Sequence, residues 1–297
     1  MAAFVDQGPL RHHRRLAATA ALASLLVTAC GPMAETKSEA PARSEAPVAP
    51  SHVAAAVLIN AERVDASFAA IPASIADIET TNKSERAAQS AALGQAAERA
   101  YREEVAGLRD KMLADVTVPA DAAAVIRSLT LLAKAREAAA VRPGTPERSK
   151  ALDRALAGRP NREGIVALAA AMAAPRFADE RALTVRLMAW GLNYAGHTRR
   201  QASPSDVSEQ VAEIMGKTRA AEDARTRAGA VATRRDPALL EALLALPAAD
   251  IATLAEWYGS AAGKTAKDQM VGYFQGANER AGQRMLIDFL TRTEPEG

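Results

Sequence analysis

Glu256 stands immediately before Trp257 and Tyr258, and a carboxyl group buried against an aromatic ring has its pKa raised toward the range of a general acid. A Glu in that position faces solvent on most amphipathic helices, so the pattern alone makes no active site. The run Gly259-x-x-x-Gly263-Lys264-Thr265 has the outline of a phosphate-binding loop. A P-loop, however, needs glycine at position 258, where Tyr258 stands, and a strand ahead of it. Zinc needs three or four converging ligands. Beyond residue 30 the chain has only His52 and His197 as imidazoles, so neither a metal site nor a Ser-His-Asp set is expected. Neighbouring carboxylates such as Glu103 and Glu104 point to different sides of a helix. The remaining reactive side chain is Cys30, the only cysteine.

Cys30 closes the tetrapeptide Val27-Thr28-Ala29-Cys30, which follows an apolar stretch, Leu16 to Ala29, of about 14 residues, the length of a secretory h-region. Arg11, His12, His13, Arg14 and Arg15 precede it as a basic n-region. The stretch is too short to span a bilayer, which takes roughly 20 apolar residues. The tetrapeptide resembles the lipobox of bacterial lipoproteins. That resemblance implies cleavage between Ala29 and Cys30, a thioether from the Cys30 sulfur to diacylglycerol, and an acyl chain such as palmitate on the new amino terminus. Gly31, where many inner-membrane lipoproteins carry Asp, implies the periplasmic face of the outer membrane. Two acyl chains suffice for stable anchoring. No other cofactor is expected, and with Cys30 acylated no thiol remains for a disulfide, a metal or nucleophilic catalysis.

Removing Met1 to Ala29 takes away Arg11, Arg14, Arg15 and Asp6, which brings the formal net charge from +2 to zero. A nucleic-acid surface needs a clustered basic excess, so no nucleic-acid partner is expected. The basic pairs Arg199-Arg200, Arg225-Arg227 and Arg234-Arg235 are diluted by Glu222, Asp223 and Asp236 and read as solvated charge.

Residues 30–52 read as the lipidated cysteine and a disordered tether, with Pro32, Pro41, Pro47 and Pro50 spaced through it. Extended at about 3.1 Å per residue, the roughly 20 residues from Gly31 to Pro50 would reach roughly 60 Å. From there Ala, Leu, Glu, Arg and Gln dominate and no alternating run suggests a strand, so the fold class is all-α, a helical bundle without significant β-sheet. Start and stop signals place helices over an apolar run from Ser51 to Ile71, then 84–114, 122–141, 145–157, 165–174, 178–194, 203–234, 236–246, 249–258 and 261–292. After Cys30, every aromatic residue except Phe68 and Tyr101 lies from Phe177 onward. Large rings dominate core packing, so residues 145–297 read as a compact helical domain. Residues 53–142 read as Ala-rich long helices, either closely packed or a coiled-coil hairpin.

Ile251, Leu254, Ala255 and Tyr258 share a helix face, Gly259-Ser260 breaks that helix, and Ser260 can cap the next. Met270, Tyr273, Phe274 and Ala277 offer a matching stripe for Trp257 and Tyr258 to pack on. This corner resembles one in a family of uncharacterised, all-helical bacterial envelope proteins, which repeats Leu-x-x-aromatic-Tyr-x-Ser/Thr-Pro-x-Gly-Lys/Arg between two helices. Trp257, Tyr258, Ser260, Gly263 and Lys264 match, and Ala261 stands where the family has Pro. The resemblance implies an all-α fold in the periplasm and no catalytic residues.

These readings favour a lipid-anchored envelope protein that is not an enzyme and works by binding an envelope or secreted protein. An immunity lipoprotein against a secreted antibacterial effector is the sharper form of that expectation. An enzyme acting on peptidoglycan or lipid through Glu256 is the competing one.

Overall fold

The computed structural model describes residues 50–76, 85–119, 122–198, 204–227 and 236–292. The segment read as a signal, Cys30, the segment read as a tether up to residue 49, and the pairs Arg199-Arg200 and Arg234-Arg235 lie outside the described residues. Among the described residues the fold is all-α, a bundle with no strand. Its helices are α1 (Pro50–Glu62), α2 (Val64–Ala76), α3 (Glu85–Asp115), α4 (Ala123–Ala140), α5 (Pro146–Ala157), α6 (Arg162–Ala171), α7 (Ala174–Thr198), α8 (Pro204–Arg227), α9 (Pro237–Ala245), α10 (Ala248–Gly259) and α11 (Ala261–Arg292). None of the described helices is long and apolar enough to cross a membrane.

Several of these starts follow from side chains that accept the unpaired N–H groups of a first turn. Thr145 accepts from the Arg148 N–H at 3.2 Å and Asp236 from the Leu239 N–H at 2.9 Å, each followed by Pro at the first helical position. Asn161 makes no such side-chain bond, although it precedes α6.

Three expectations are corrected by the structure. Helix α1 opens at Pro50, in line with the helical run read from Ser51, so the segment read as a tether does not extend to residue 52. The apolar run to Ile71 is two helices, broken at Arg63, which among the described residues is the one non-glycine residue with positive φ, at 54°. Helix α7 begins at Ala174 rather than Ala178, because a carboxylate from α1 occupies its first N–H groups.

Composition divides the chain near residues 142–145; packing does not. Helices α3 and α11, of 31 and 32 residues and each about 47 Å long, lie side by side. The buried Ala96, Ala97 and Ala100 of one and Ala277 and Ala281 of the other belong to the same core. Phe68 of α2 meets Tyr101 of α3 and Phe274 of α11, each at 5.2 Å between ring centres, and Phe274 stacks on Phe177 of α7 at 4.4 Å. The two aromatic residues of the Ala-rich half thus sit in one cluster with Phe177 and Phe274 of the other half. At the rim Arg280 and Arg284 bind Glu104, and Arg99 binds Asp288 at 2.7 Å.

Candidate functional site

Glu62, the last residue of α1, is wholly buried, and its carboxylate gathers donors from three directions. The backbone N–H groups of Ala173 and Ala174 reach its two oxygens at 3.0 and 2.9 Å, and the Tyr258 hydroxyl donates to Oε1. Burial pushes the Glu62 carboxyl above its usual 4.5, opposed in turn by the Arg136 charge, the Tyr258 hydroxyl and the two N–H groups. Tyr258 is pushed well above 10.0 by its own burial and by the neighbouring carboxylate. Anionic groups at a helix N-terminus are stabilised by the helix dipole, so Glu62 both starts α7 and fixes α10 against α1.

Arg136 of α4 completes this network while 2% exposed. Its Nη1 donates to the Ala61 carbonyl at 2.8 Å and lies 3.9 Å from Glu62 Oε2; its Nη2 donates to Asp236 Oδ2 at 2.7 Å. Its Nε is buried without a hydrogen-bond partner. One guanidinium thereby covers the C-terminal carbonyl of α1 and meets the capping carboxylate of α9.

Arg136 also lines a cavity of about 310 Å³ between α2, α4, α5, α7 and the start of α9. Five guanidinium groups border it, from Arg63, Arg136, Arg142, Arg148 and Arg181, against the single carboxylate of Asp236. Its apolar walls include Phe177 and several alanines, and Ser67 adds a hydroxyl. Arg142 and Arg148 are held by Glu241, and Arg148 also donates to the Ala139 and Arg142 carbonyls at 2.7 and 2.6 Å, covering the end of α4. Arg63 donates to the Arg136 carbonyl at 3.3 Å. Partial burial and the charge of Arg136 push the Arg63 guanidinium below its usual value, with Asp236 and Glu137 acting against them.

A second buried polar set lies across the bundle. Glu180 of α7 accepts from Arg219 at 2.8 Å, Gln275 at 2.9 Å and Asn278 at 3.1 Å, while Asn278 Oδ1 accepts from Tyr101 at 2.6 Å and Thr184 at 3.0 Å. It ties α3, α7 and α11 together through buried hydrogen bonds and adds α8 through the half-buried Arg219.

Of the residues singled out in sequence, Tyr258 belongs to the Glu62 network and the others fall elsewhere. Trp257 and Tyr258 are buried and meet edge to face at 4.7 Å. Tyr258 reaches Glu62 of α1 with its hydroxyl, a partner the stripe on α11 did not suggest. Ser260 caps α11: its hydroxyl donates to the Trp257 carbonyl at 2.6 Å and accepts from the Gly263 N–H at 3.1 Å. A Cβ at Gly263 would stand 2.1 Å from the Trp257 carbonyl oxygen, so only glycine permits this approach. Lys264 and Glu256 are exposed, which removes the buried environment a Glu256 acid would need. His52 is exposed, and His197 belongs to α7 rather than to a loop. Among the described residues no group of three or more His, Cys, Asp and Glu is placed to hold a metal ion.

The sequence reading missed Glu62 and Arg136, although both carry a signal. Ala55, Leu58, Ile59 and Glu62 share one helical stripe, as do Leu129, Leu132 and Arg136. A charge on an apolar stripe marks a buried ion that needs a partner. No protein-family model, curated protein or solved structure matches the chain.

Proposed function

We propose that this chain is a lipid-anchored module of the bacterial envelope that acts by binding another protein and not by catalysis. Cys30 would carry the diacylglycerol thioether and acyl chain, the proline-spaced segment after it would serve as the tether, and the helical body would face the periplasm from the outer membrane. The observation that carries this reading is the engagement of the buried Glu62 and the half-buried Asp236. Glu62, the most enzyme-like of them, accepts from two backbone N–H groups and Tyr258 and lies beside Arg136, and Asp236 is bound by Arg136 and Leu239. A general base must reach a substrate proton, whereas these carboxylates hold helix ends. The arginine-bordered cavity, by contrast, offers charge to a ligand from outside.

The test is affinity purification of the tagged protein from crosslinked envelopes, with Cys30→Ala as the unanchored control. One dominant protein recovered only with the anchored form is the expected result. Turnover of purified peptidoglycan or lipid by the protein, abolished by a single substitution, would overturn the reading.

A further inference from the structure

The geometry points to the arginine-bordered cavity as a binding site for a phosphoryl group, with Arg63 and Arg181 as its principal ligands. This goes beyond capture of a protein partner and does not depend on it.

Charge matching selects the ligand. Of the five bordering arginines, Arg142 and Arg148 share the one carboxylate of Glu241, and Arg136 is paired with Asp236. Neither Arg63 nor Arg181 makes an ion pair within 4 Å among the described residues, and Asp236 and Glu137 act on Arg63 only from farther off. Two half-buried guanidiniums on separate elements call for one group of charge near −2. A phosphoryl group carries about −1.5 to −2 and three strong acceptor oxygens, and the guanidinium fork matches its oxygens in pairs. A carboxylate would neutralise only one of the two. Ser67 supplies a neutral donor on the same wall, and the Pro237 end of α9 adds the positive pole of its dipole.

The backbone supplies an independent observation. Arg63 holds the left-handed conformation at φ 54°, a region that costs an L-residue with a Cβ and that glycine adopts freely. Strain of this kind persists at binding sites, where the surrounding structure holds the side chain in place. At position 63 it holds a guanidinium on the border of the cavity. The apolar wall of Phe177 and alanines leaves room beyond the phosphoryl group for the carbon skeleton of an ester. A phosphate monoester and a membrane phospholipid headgroup share this chemistry.

The experiment uses the full chain carrying Cys30→Ala, titrated by calorimetry with inorganic phosphate and glycerol phosphate, and floated with phosphatidylcholine vesicles with and without phosphatidic acid. Binding of either soluble phosphate is expected, weakened about tenfold or more by Arg63→Gly and by Arg181→Gln and unchanged by Lys264→Gln. Arg63→Gly relaxes the left-handed turn, so its melting temperature stays at or above that of the parent, separating lost binding from lost folding. Flotation only with phosphatidic acid assigns the site to a headgroup, and soluble binding alone assigns it to a free ester. Absence of phosphate binding, binding indifferent to both arginines, or preference for an acidic peptide over phosphate would each overturn the assignment. Those outcomes leave the crosslinking result intact, so the two readings fail separately.

Discussion

Tyr258 donates its phenolic proton to Glu62, a residue 196 positions earlier in the chain, and both groups are buried. The bond joins the last residue of α1 to α10 while the same carboxylate starts α7, so one side chain sets the relative placement of three helices. A hydrogen bond to a charged group contributes about 1.5–3 kcal/mol. Tyr258→Phe should therefore lower unfolding stability by that amount in a urea titration. A change below about 0.5 kcal/mol, the usual range for surface substitutions, would show that the Glu62 carboxylate is satisfied without it.

Arg136 is tied to Ala61, Glu62 and Asp236 at once. Removing one partner of a buried ion pair leaves the other charge uncompensated and costs about 3–5 kcal/mol. Arg136→Met should fall in that range, and Arg136→Met combined with Glu62→Gln should recover part of it. Additive losses in the double variant would mean that the two groups do not act as a unit.

The corner between α10 and α11 shows what local sequence conveys well. Gly259-Ser260 marks a helix break, and Ser260 caps the next helix as its side-chain chemistry dictates. The demand for glycine at 263 is legible only from structure, since it comes from the Trp257 carbonyl approaching through space. Overpacking costs about 1–3 kcal/mol, and more at the tightest sites. Gly263→Ala should show that loss in thermal melts, whereas Lys264→Ala, at an exposed site, should change stability by less than about 0.5 kcal/mol. Equal, small effects of both would contradict the close approach.

Helix periodicity and turn residues made the all-α class readable, because Ala, Leu, Glu and Arg patterns act over short distances. What the sequence concealed is non-local. The early start of α7 depends on Glu62 from a distant helix, and the break at Arg63 opposes the apolar run around it. Aromatic distribution suggested a division near residue 142, yet Phe68 and Tyr101 join the same ring cluster as Phe177 and Phe274. The five cavity arginines are spread from position 63 to position 181, and no linear motif brings them together.

Glu62 gives stability a distinctive pH dependence. Its carboxyl is raised from 4.5 by burial, so the folded state keeps this proton where the unfolded state has released it. As pH rises from about 4.5 toward the folded value, the unfolded chain binds fewer protons than the folded one and stability falls. Each tenfold difference in proton affinity corresponds to about 1.4 kcal/mol. Glu104 acts in the opposite sense. Bonds and charge from Arg280 and Arg284 outweigh its desolvation and lower its pKa, so its contribution is present above 4.5 and lost in acid. Comparing the parent with Glu62→Gln at each pH cancels the Glu104 contribution, which both proteins share. The stability of the parent relative to Glu62→Gln should be greatest below pH 4.5 and shrink as pH rises above it. A difference that grew with pH would mean that the ionised clamp on α7 and Tyr258 outweighs burial, and that Glu62 sits below its usual value in the folded protein.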